Sequence, residues 1–388
     1  MPSPSPRDRA VELLTRLVAF DTESVKSNLP LIDAVKDYCR ELNVPVVTTF
    51  NSEGSKAAIL ATIGPMVDGG VVLSGHTDCV PVAGQSWSSD PFTLREDGGR
   101  LYGRGTCDMK GFDAVALAMI PEFLTAGLKT PIHILLSYDE EVTCLGPVDL
   151  IARFGADLPR PRAAIVGEPT LMQVADSHKS VCTYRTVVHG VEAHSAKPAL
   201  GANAIAAGGE LVAAISRIGE EFEAKGDRDP RFDPPVSTVH VGRIEGGTAR
   251  NILAKECNLL WEFRGLPQTD LKSAISQFET YAREIALPRL NRYTDKGRIE
   301  TAIEIEVPGL RAEPGSAAES LALRLLRSNS TIAVPYATEA GRFQSAGIPT
   351  VVCGPGSIDQ AHQADEYIAL SQIDAAIAFM RDLARESS

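Results

Sequence analysis

The sequence contains the segment Val71-Val72-Leu73-Ser74-Gly75-His76-Thr77-Asp78, in which a short apolar run leads directly to an imidazole and a carboxylate. Three later apolar runs end in a similar way: residues 132–138 before Asp139-Glu140-Glu141, residues 163–166 before Gly167-Glu168-Pro169, and residues 350–353 before a glycine-rich loop that reaches His362. Continuous apolar runs of this length are typical of buried parallel strands. The carboxyl ends of such strands line one crevice of an open doubly wound sheet, so we expect these polar side chains to converge there.

The order of the predicted elements indicates two domains in the 388 residues. Helices and strands alternate through residue 179, which is the α/β pattern. Between residues 180 and 308 the order becomes strand, helix, two strands, helix and strand, which predicts an inserted α+β domain with a four-stranded antiparallel sheet and two helices. Residues 309–388 return to the first pattern. We expect residues 1–179 and 309–388 to form one α/β domain, with a mostly parallel sheet and helices on both faces, and residues 180–308 to close over it as a lid.

The composition excludes several classes of partner. A formal net charge of -12 provides no basic surface for a nucleic acid. No apolar stretch approaches the roughly 20 residues of a membrane span, and the N-terminus, Met1-Pro2-Ser3-Pro4, does not resemble a signal segment. We therefore expect a cytoplasmic protein that acts on a small molecule.

The seven cysteines form no Cys-x-x-Cys pair, which argues against a disulfide framework or a thiolate zinc site. Most are expected to be small buried hydrophobic residues. Cys79 and Cys107 lie next to suspected metal ligands, so a cysteine nucleophile stays an alternative, although neither has an oriented histidine partner in the sequence.

The strongest chemical signal is a set of residues that suits a metal centre. His76 and Asp78 could be a metal ligand and the carboxylate that orients it, although a histidine held by a backbone carbonyl would explain His76 equally well. Asp108 lies in a loop before a helix, where it is either a helix N-cap or a carboxylate shared by two cations about 3.5–4 Å apart. Three consecutive carboxylates at Asp139-Glu140-Glu141 would repel one another unless they are solvated or a cation compensates them. Together with Glu168 and His362, these histidine and carboxylate residues provide the ligand types that zinc accepts in hydrolytic sites.

The other histidines mostly favour structural roles. His133, His189 and His240 lie in predicted strands, and His178 is ambiguous. His194 lies in a polar loop before a helix, where it could donate a hydrogen bond to a developing oxyanion.

These motifs together resemble the dinuclear zinc amidohydrolase and peptidase family. The matching segments agree in order and spacing over almost the whole chain: residues 74–81, 103–111, 139–141, 167–169 and the His362 segment. The resemblance implies that His76 and Glu168 hold one Zn²⁺, that Glu141 and His362 hold a second, and that Asp108 bridges both, with Co²⁺ as a possible substitute. It also implies that Asp78 supports His76, that Glu140 is the general base, and that the inserted domain forms a homodimer in which His194 contributes to the active site of either chain.

Within this family, residues 167–170, 176–179, 251–253 and 338–344, together with residues 353–357 leading to 360–362, are most similar to the branch that removes the acetyl group from N2-acetyl-L-ornithine. That substrate carries an α-carboxylate, which Arg264 could bind with help from Asn251 and from backbone N–H groups between Gly354 and Ser357. Glu339 is the candidate partner for the substrate ammonium, although an exposed glutamate at a turn is the commoner explanation. Arg342 stands where this branch usually has a neutral residue.

Three other functions are compatible with the sequence. Removal of a succinyl group from N-succinyl-diaminopimelate is favoured by Lys179, Arg250 and Arg342, which could bind a diacid, and is disfavoured by the segment that contains Glu339. A deacylase or dipeptidase with another substrate would share all of the metal ligands. A non-catalytic binding protein would be expected to have lost Glu140 or a ligand, and none of these residues is missing.

Overall fold

The computed structural model of the protein describes residues 4–388. Residues 1–3, which carry most of the N-terminal segment considered above, lie outside the described range. Between residues 4 and 388, no helix is both long enough and apolar enough to cross a membrane.

The strands and helices alternate over most of the chain. In chain order, the described strands are β1 (Val46–Phe50), β2 (Ala57–Ile63), β3 (Val71–His76), β4 (Arg95–Asp97), β5 (Arg100–Tyr102), β6 (Ile132–Ser137), β7 (Ala163–Pro169), β8 (Ala175–His178), β9 (Ser180–His189), β10 (Thr238–Gly246), β11 (Glu256–Gly265), β12 (Arg298–Val307), β13 (Ile332–Val334), β14 (Thr350–Gly354) and β15 (Tyr367–Ala369). The α-helices are α1 (Pro6–Val18), α2 (Leu29–Glu41), α3 (Lys110–Ala118), α4 (Ile120–Thr125), α5 (Val148–Arg153), α6 (Ala204–Lys225), α7 (Ser273–Tyr281), α8 (Leu287–Leu290), α9 (Ala317–Leu326), α10 (Ala340–Ser345) and α11 (Leu370–Glu386).

The chain folds into two compact units. The first unit runs from the described N-terminus to Ser177 and includes Leu310–Ala333 and Thr338–Ser388. The second unit comprises His178–Gly309 and Val334–Ala337. The roles expected for the two predicted domains, catalysis and lid closure, stay predictions.

The first unit is built on an eight-stranded sheet with the order β1-β2-β6-β3-β7-β14-β8-β13. Its four central strands, β6, β3, β7 and β14, are parallel to one another, while β1 and β2 join one side in antiparallel pairs. His76 pairs with Ser137, and Gly354 pairs with Pro169, so the carboxyl ends of neighbouring strands lie side by side. This register brings the polar residues that follow the strands to one edge of the sheet.

Both faces of the central strands are buried, as their continuous apolar sequences predict. Alternate residues, such as Leu73 and Ile165, join a large apolar cluster with α1, α2, α3 and α11. The intervening residues, such as Val72 and Val166, are equally buried on the other face, and α10 contacts both β7 and β14. The predicted α/β class, with a mostly parallel sheet and helices, is confirmed.

The second unit contains a four-stranded antiparallel sheet with the order β10-β11-β9-β12. Buried residues alternate with partly exposed residues along β11, so one face of the sheet packs against helices. Trp261 stacks on Tyr184 with ring centroids 4.1 Å apart and donates to Thr186 Oγ1 at 3.0 Å. The predicted inserted α+β sheet is therefore present, and the second predicted helix is divided into α7, a π-helical turn at Ala282–Ala286 and α8.

A substitution at Gly167 tests the packing of α3 against the sheet. A β-carbon at Gly167 would lie 2.1 Å from Phe112 Cγ, so we expect Gly167→Ala to destabilise the first unit by about 1–3 kcal/mol. Gly209→Ala is the control, because Gly209 lies in α6 with nothing within 4 Å of its added β-carbon. Calorimetry should show a lower unfolding temperature only for Gly167→Ala; equal temperatures for the two variants would contradict this packing.

Candidate metal centre

The five predicted ligand residues meet at the carboxyl edge of the large sheet. His76 is the last residue of β3, and Glu168 lies next to the end of β7. Glu141 follows β6, Asp108 precedes α3, and His362 lies in the loop between β14 and β15. All five belong to the first unit.

The five side chains form two groups that share Asp108. The first group is His76, Asp108 and Glu168, and the second is Asp108, Glu141 and His362; within each group the ligand atoms lie within 4.8 Å of one another. Asp108 Oδ1 lies 3.1 Å from His76 Nε2, and Asp108 Oδ2 lies 3.1 Å from His362 Nε2. The two oxygens of Asp108 therefore face different histidines, as a carboxylate shared by two cations requires.

The electrostatics of this centre require a compensating positive charge. Burial raises the pKa values of Glu140 and Glu168 well above the usual range, and burial together with nearby Asp108 raises the pKa of Glu141 to about 7. Hydrogen bonds to Asp108 and Glu141 raise the pKa of His362 to about 10. Burial and the mutual repulsion of the carboxylates favour their protonated forms, and a metal cation can replace those protons.

Unsatisfied oxygens show that the residues fit metal ions. Glu141 Oε1 and Glu168 Oε1 are buried and have no hydrogen-bond partner among the described residues. A buried carboxylate oxygen without a donor or cation is energetically costly. Two imidazoles and three carboxylates are also a ligand set that zinc accepts. The residues therefore fit two divalent cations on the basis of both geometry and chemistry.

Asp78 connects the His76 segment to the turn that carries Glu140 and Glu141. Its Oδ1 accepts the backbone N–H of Glu140 at 3.1 Å, and its Oδ2 accepts that of Glu141 at 3.3 Å and the hydroxyl of Ser24 at 2.7 Å. The nearest partner of His76 Nδ1 is the backbone oxygen of Asp78 at 2.9 Å, with the carboxylate at 3.5 Å. Asp78 thus orients the acidic turn as well as the histidine.

Glu140 is the acidic residue whose side chain faces the centre without joining either ligand group. It is buried, and its Oε2 lies 3.9 Å from His76 Nε2. Asp139 points elsewhere and forms an ion pair with Lys56. The three consecutive carboxylates therefore occupy three different environments.

Glu366 is a structural residue that the sequence analysis missed. Its buried carboxylate pairs with Arg104 at 2.8 Å and accepts the backbone N–H groups of Gly105, Cys107 and Asp108 at 2.9, 2.8 and 3.1 Å. These bonds hold the Asp108 loop. A buried arginine such as Arg104 requires an acidic partner, but nothing in the sequence identifies that partner as Glu366.

The cysteines have the properties expected of buried hydrophobic residues. All seven are free and buried. Burial raises the pKa of Cys79 to about 11 and also raises the pKa of Cys107, so neither thiol ionises readily. The structure therefore disfavours the alternative of a cysteine nucleophile.

The structure corrects the expectation that Glu339 binds a substrate ammonium. Glu339 is fully buried, and its carboxylate accepts the hydroxyls of Ser74 at 2.5 Å and Ser137 at 2.7 Å. Those hydroxyls satisfy the carboxylate inside the protein, so it is not available to a substrate.

The glycine loop also differs from its predicted role. The N–H of Gly354 donates to Thr170 Oγ1 at 3.2 Å, and the N–H of Gly356 donates to Gln372 Oε1 at 3.1 Å. Both groups already have partners, so they are not free donors for a substrate carboxylate.

The remaining predicted site residues lie in the second unit. His194 and Asn251 are both exposed. They lie close together in the structure, because the N–H of Ser195 donates to the backbone oxygen of Asn251 at 2.9 Å. Arg264 is partly exposed and pairs with Glu262 at 3.3 Å. Their roles in substrate binding stay predictions.

Comparison with known proteins identifies one family. Residues 72–386 match the model of Peptidase family M20/M25/M40. The chain is 34% identical to an acetylornithine deacetylase from Shigella sonnei over 367 residues, which are 92% of each chain. The sequence relationship therefore extends over both units.

Solved structures share the same fold. The aminopeptidase PepT from Bacillus cereus has a TM-score of 0.75 at 18% identity and 98% coverage of each chain. The YXEP protein from Bacillus subtilis, described as a dinuclear metal-binding peptidase of the M20 family, has a TM-score of 0.66 at 16% identity and 99% coverage of each chain. At such low identities the likeness concerns the fold alone.

Metal binding provides the direct test of this centre. Protein stripped with a chelator and reloaded should bind two Zn²⁺ ions per chain, and Asp108→Ala should bind fewer than one, because Asp108 belongs to both ligand groups. His240→Ala should still bind two, because His240 is exposed in the second unit. Elemental analysis after gel filtration measures the stoichiometry, and unchanged binding by Asp108→Ala would refute the shared ligand.

Proposed function

The chain belongs to Peptidase family M20/M25/M40, and we propose that it is a metal-dependent deacetylase that hydrolyses N2-acetyl-L-ornithine to L-ornithine and acetate in arginine biosynthesis. The observation that carries this proposal is the pair of ligand groups that share Asp108, with Glu140 beside them. The similarity to the Shigella sonnei enzyme over 92% of the chain supports the choice of substrate.

In this proposal the two groups hold two Zn²⁺ ions, which Co²⁺ could replace. His76 and Glu168 would hold one ion, Glu141 and His362 the other, and Asp108 both. When bound, such ions supply Lewis-acid chemistry that lowers the pKa of water toward about 7 and polarises the amide carbonyl. Asp78 would preserve the relative positions of the first histidine and the acidic turn through its hydrogen bonds.

Glu140 is assigned as the general base. It would accept a proton from the water that attacks the amide carbonyl and return that proton to the leaving nitrogen, so that acetate and a free amine result. Burial, which raises the pKa of Glu140 well above its usual range, supports a role in proton transfer.

Substrate recognition is assigned to the second unit. Arg264 would bind the α-carboxylate bidentately, and Asn251 would assist it. The existing contact of Arg264 with Glu262 is partly exposed, so a substrate carboxylate can replace it at low energetic cost. His194 would donate to the developing oxyanion, and a homodimer through the second unit would decide which chain supplies it.

A substrate panel tests the proposed function. We expect zinc-loaded protein to hydrolyse N2-acetyl-L-ornithine faster than N-succinyl-diaminopimelate, N-acetylmethionine or a dipeptide, and a chelator to abolish the activity. The measurement is kcat/KM for each compound from release of the free amine. A preference for another compound would reject the substrate while keeping the metal chemistry, and the absence of metal-dependent turnover would reject the enzymatic function.

The Glu140→Ala variant tests whether Glu140 acts as the general base or as a metal ligand. We expect a fall in kcat of about 10²–10⁴-fold with unchanged metal content, because the change removes a proton acceptor and leaves both ligand groups intact. Glu96→Ala serves as the control, because Glu96 is exposed in β4. Steady-state kinetics combined with elemental analysis measures both properties, and simultaneous loss of metal would show that Glu140 is a ligand instead.

A further inference from the structure

We propose that Cys144 is a positioning residue for Glu140, and that its thiol holds the Glu140 carboxylate in the orientation needed for proton transfer. The inference rests on the proposed function, because that function makes Glu140 the base. It gives a specific role to a buried cysteine that belongs to neither ligand group.

The contact between the two side chains is direct. Cys144 Sγ lies 3.3 Å from Glu140 Oε1 and 3.2 Å from the backbone oxygen of Glu140. Between residues 4 and 388, no other side chain donates a hydrogen bond to the Glu140 carboxylate. A thiol is a weak donor, but a contact to an ionised acceptor is stronger than one to a neutral acceptor.

The two oxygens of Glu140 face different neighbours. Oε1 faces the thiol of Cys144, whereas Oε2 lies 3.9 Å from His76 Nε2 on the side of the metal centre. A hydrogen bond to Oε1 restricts rotation of the carboxylate and keeps Oε2 directed at the centre. Pre-orientation of this kind lowers the barrier to proton transfer without any contact to the substrate.

The loop holds Cys144 in place independently of Glu140. The backbone N–H of Cys144 donates to the backbone oxygen of Asp139 at 2.8 Å. Arg342 donates from Nε to the backbone oxygen of Cys144 and from Nη2 to that of Thr143, both at 3.2 Å. The thiol is therefore presented by a fixed backbone.

Arg342 also connects this loop to the strands that carry the site. Arg342 lies in α10, which begins directly after Glu339. Glu339 accepts the hydroxyls of Ser74 in β3 and Ser137 in β6. The same short segment thus fixes two strand ends and the Cys144 loop. This arrangement gives the segment 338–342 a structural role in place of the predicted contact with substrate.

The main experiment compares Cys144→Ala with Cys144→Ser in the zinc-loaded full-length protein. Both replacements keep a β-carbon at a residue with a φ of 51°, so they share any backbone strain, and only serine retains a donor. We expect Cys144→Ala to lower kcat for N2-acetyl-L-ornithine by about 3- to 10-fold, with KM and metal content unchanged. Cys144→Ser should recover most of that loss.

Cys39→Ala is the matched control. Cys39 is equally buried but lies in α2, so its truncation should alter stability without altering kcat. Wild-type kcat in Cys144→Ala, or equal losses in the alanine and serine variants, would overturn the positioning role. Absence of turnover in the wild type would instead overturn the proposed function, and the positioning role of Cys144 with it.

A second measurement detects the contact without using activity. The unfolding temperatures of zinc-loaded Cys144→Ala and Cys144→Ser should differ when Glu140 is present, and the difference should be smaller in a Glu140→Ala background, where the donor keeps only the backbone oxygen of residue 140. A difference that is the same in both backgrounds would show that the thiol does not interact with Glu140. This result is independent of the choice of substrate.

Discussion

The accumulation of acidic side chains at one edge of a buried parallel sheet is the constraint on which the rest of the site depends. Asp78, Asp108 and Glu168 are buried within the same centre, and the side chain of Glu140 is only 8% exposed, so their negative charges are poorly screened. The two nearby histidines cannot neutralise them all. Compensation by cations or protons is therefore required, and the surrounding loops have to hold the carboxylates against their mutual repulsion.

Hydrogen-bond donors separate three buried carboxylates that connect segments of the fold from two of the proposed metal ligands. Asp78, Glu339 and Glu366 each accept hydrogen bonds from neighbouring hydroxyl or backbone groups, and each of them connects separate segments. Glu141 and Glu168, by contrast, keep a buried oxygen with no hydrogen-bond partner among residues 4–388. Donors therefore accompany the three carboxylates that connect separate segments, whereas Glu141 and Glu168 keep an oxygen that a cation could satisfy.

This distinction also explains what the sequence could predict. His76 and Glu168 directly end apolar runs, so the parallel order of the strands was sufficient to predict that they converge. The contacts of Glu366 with the Asp108 loop, and of Cys144 with Glu140, depend on loop conformations that apolar periodicity does not encode. The predicted contact of Glu339 with a substrate ammonium was wrong because its hydroxyl partners lie far away in the sequence, and those hydroxyls make its burial possible.

The distribution of the predicted roles over the two units separates chemistry from recognition. Every candidate metal ligand, together with Glu140, belongs to the first unit, whereas Arg264, Asn251 and His194 belong to the second. Under the proposed function, changes in the second unit would therefore alter substrate preference while the buried charges that require cations stay the same. Proteins with this fold can consequently share a metal centre and differ in substrate, because function depends on residues placed on the fold rather than on the fold itself. In the proposed function, metal binding therefore depends on side chains of the first unit, and substrate preference depends on Arg264, Asn251 and His194 of the second.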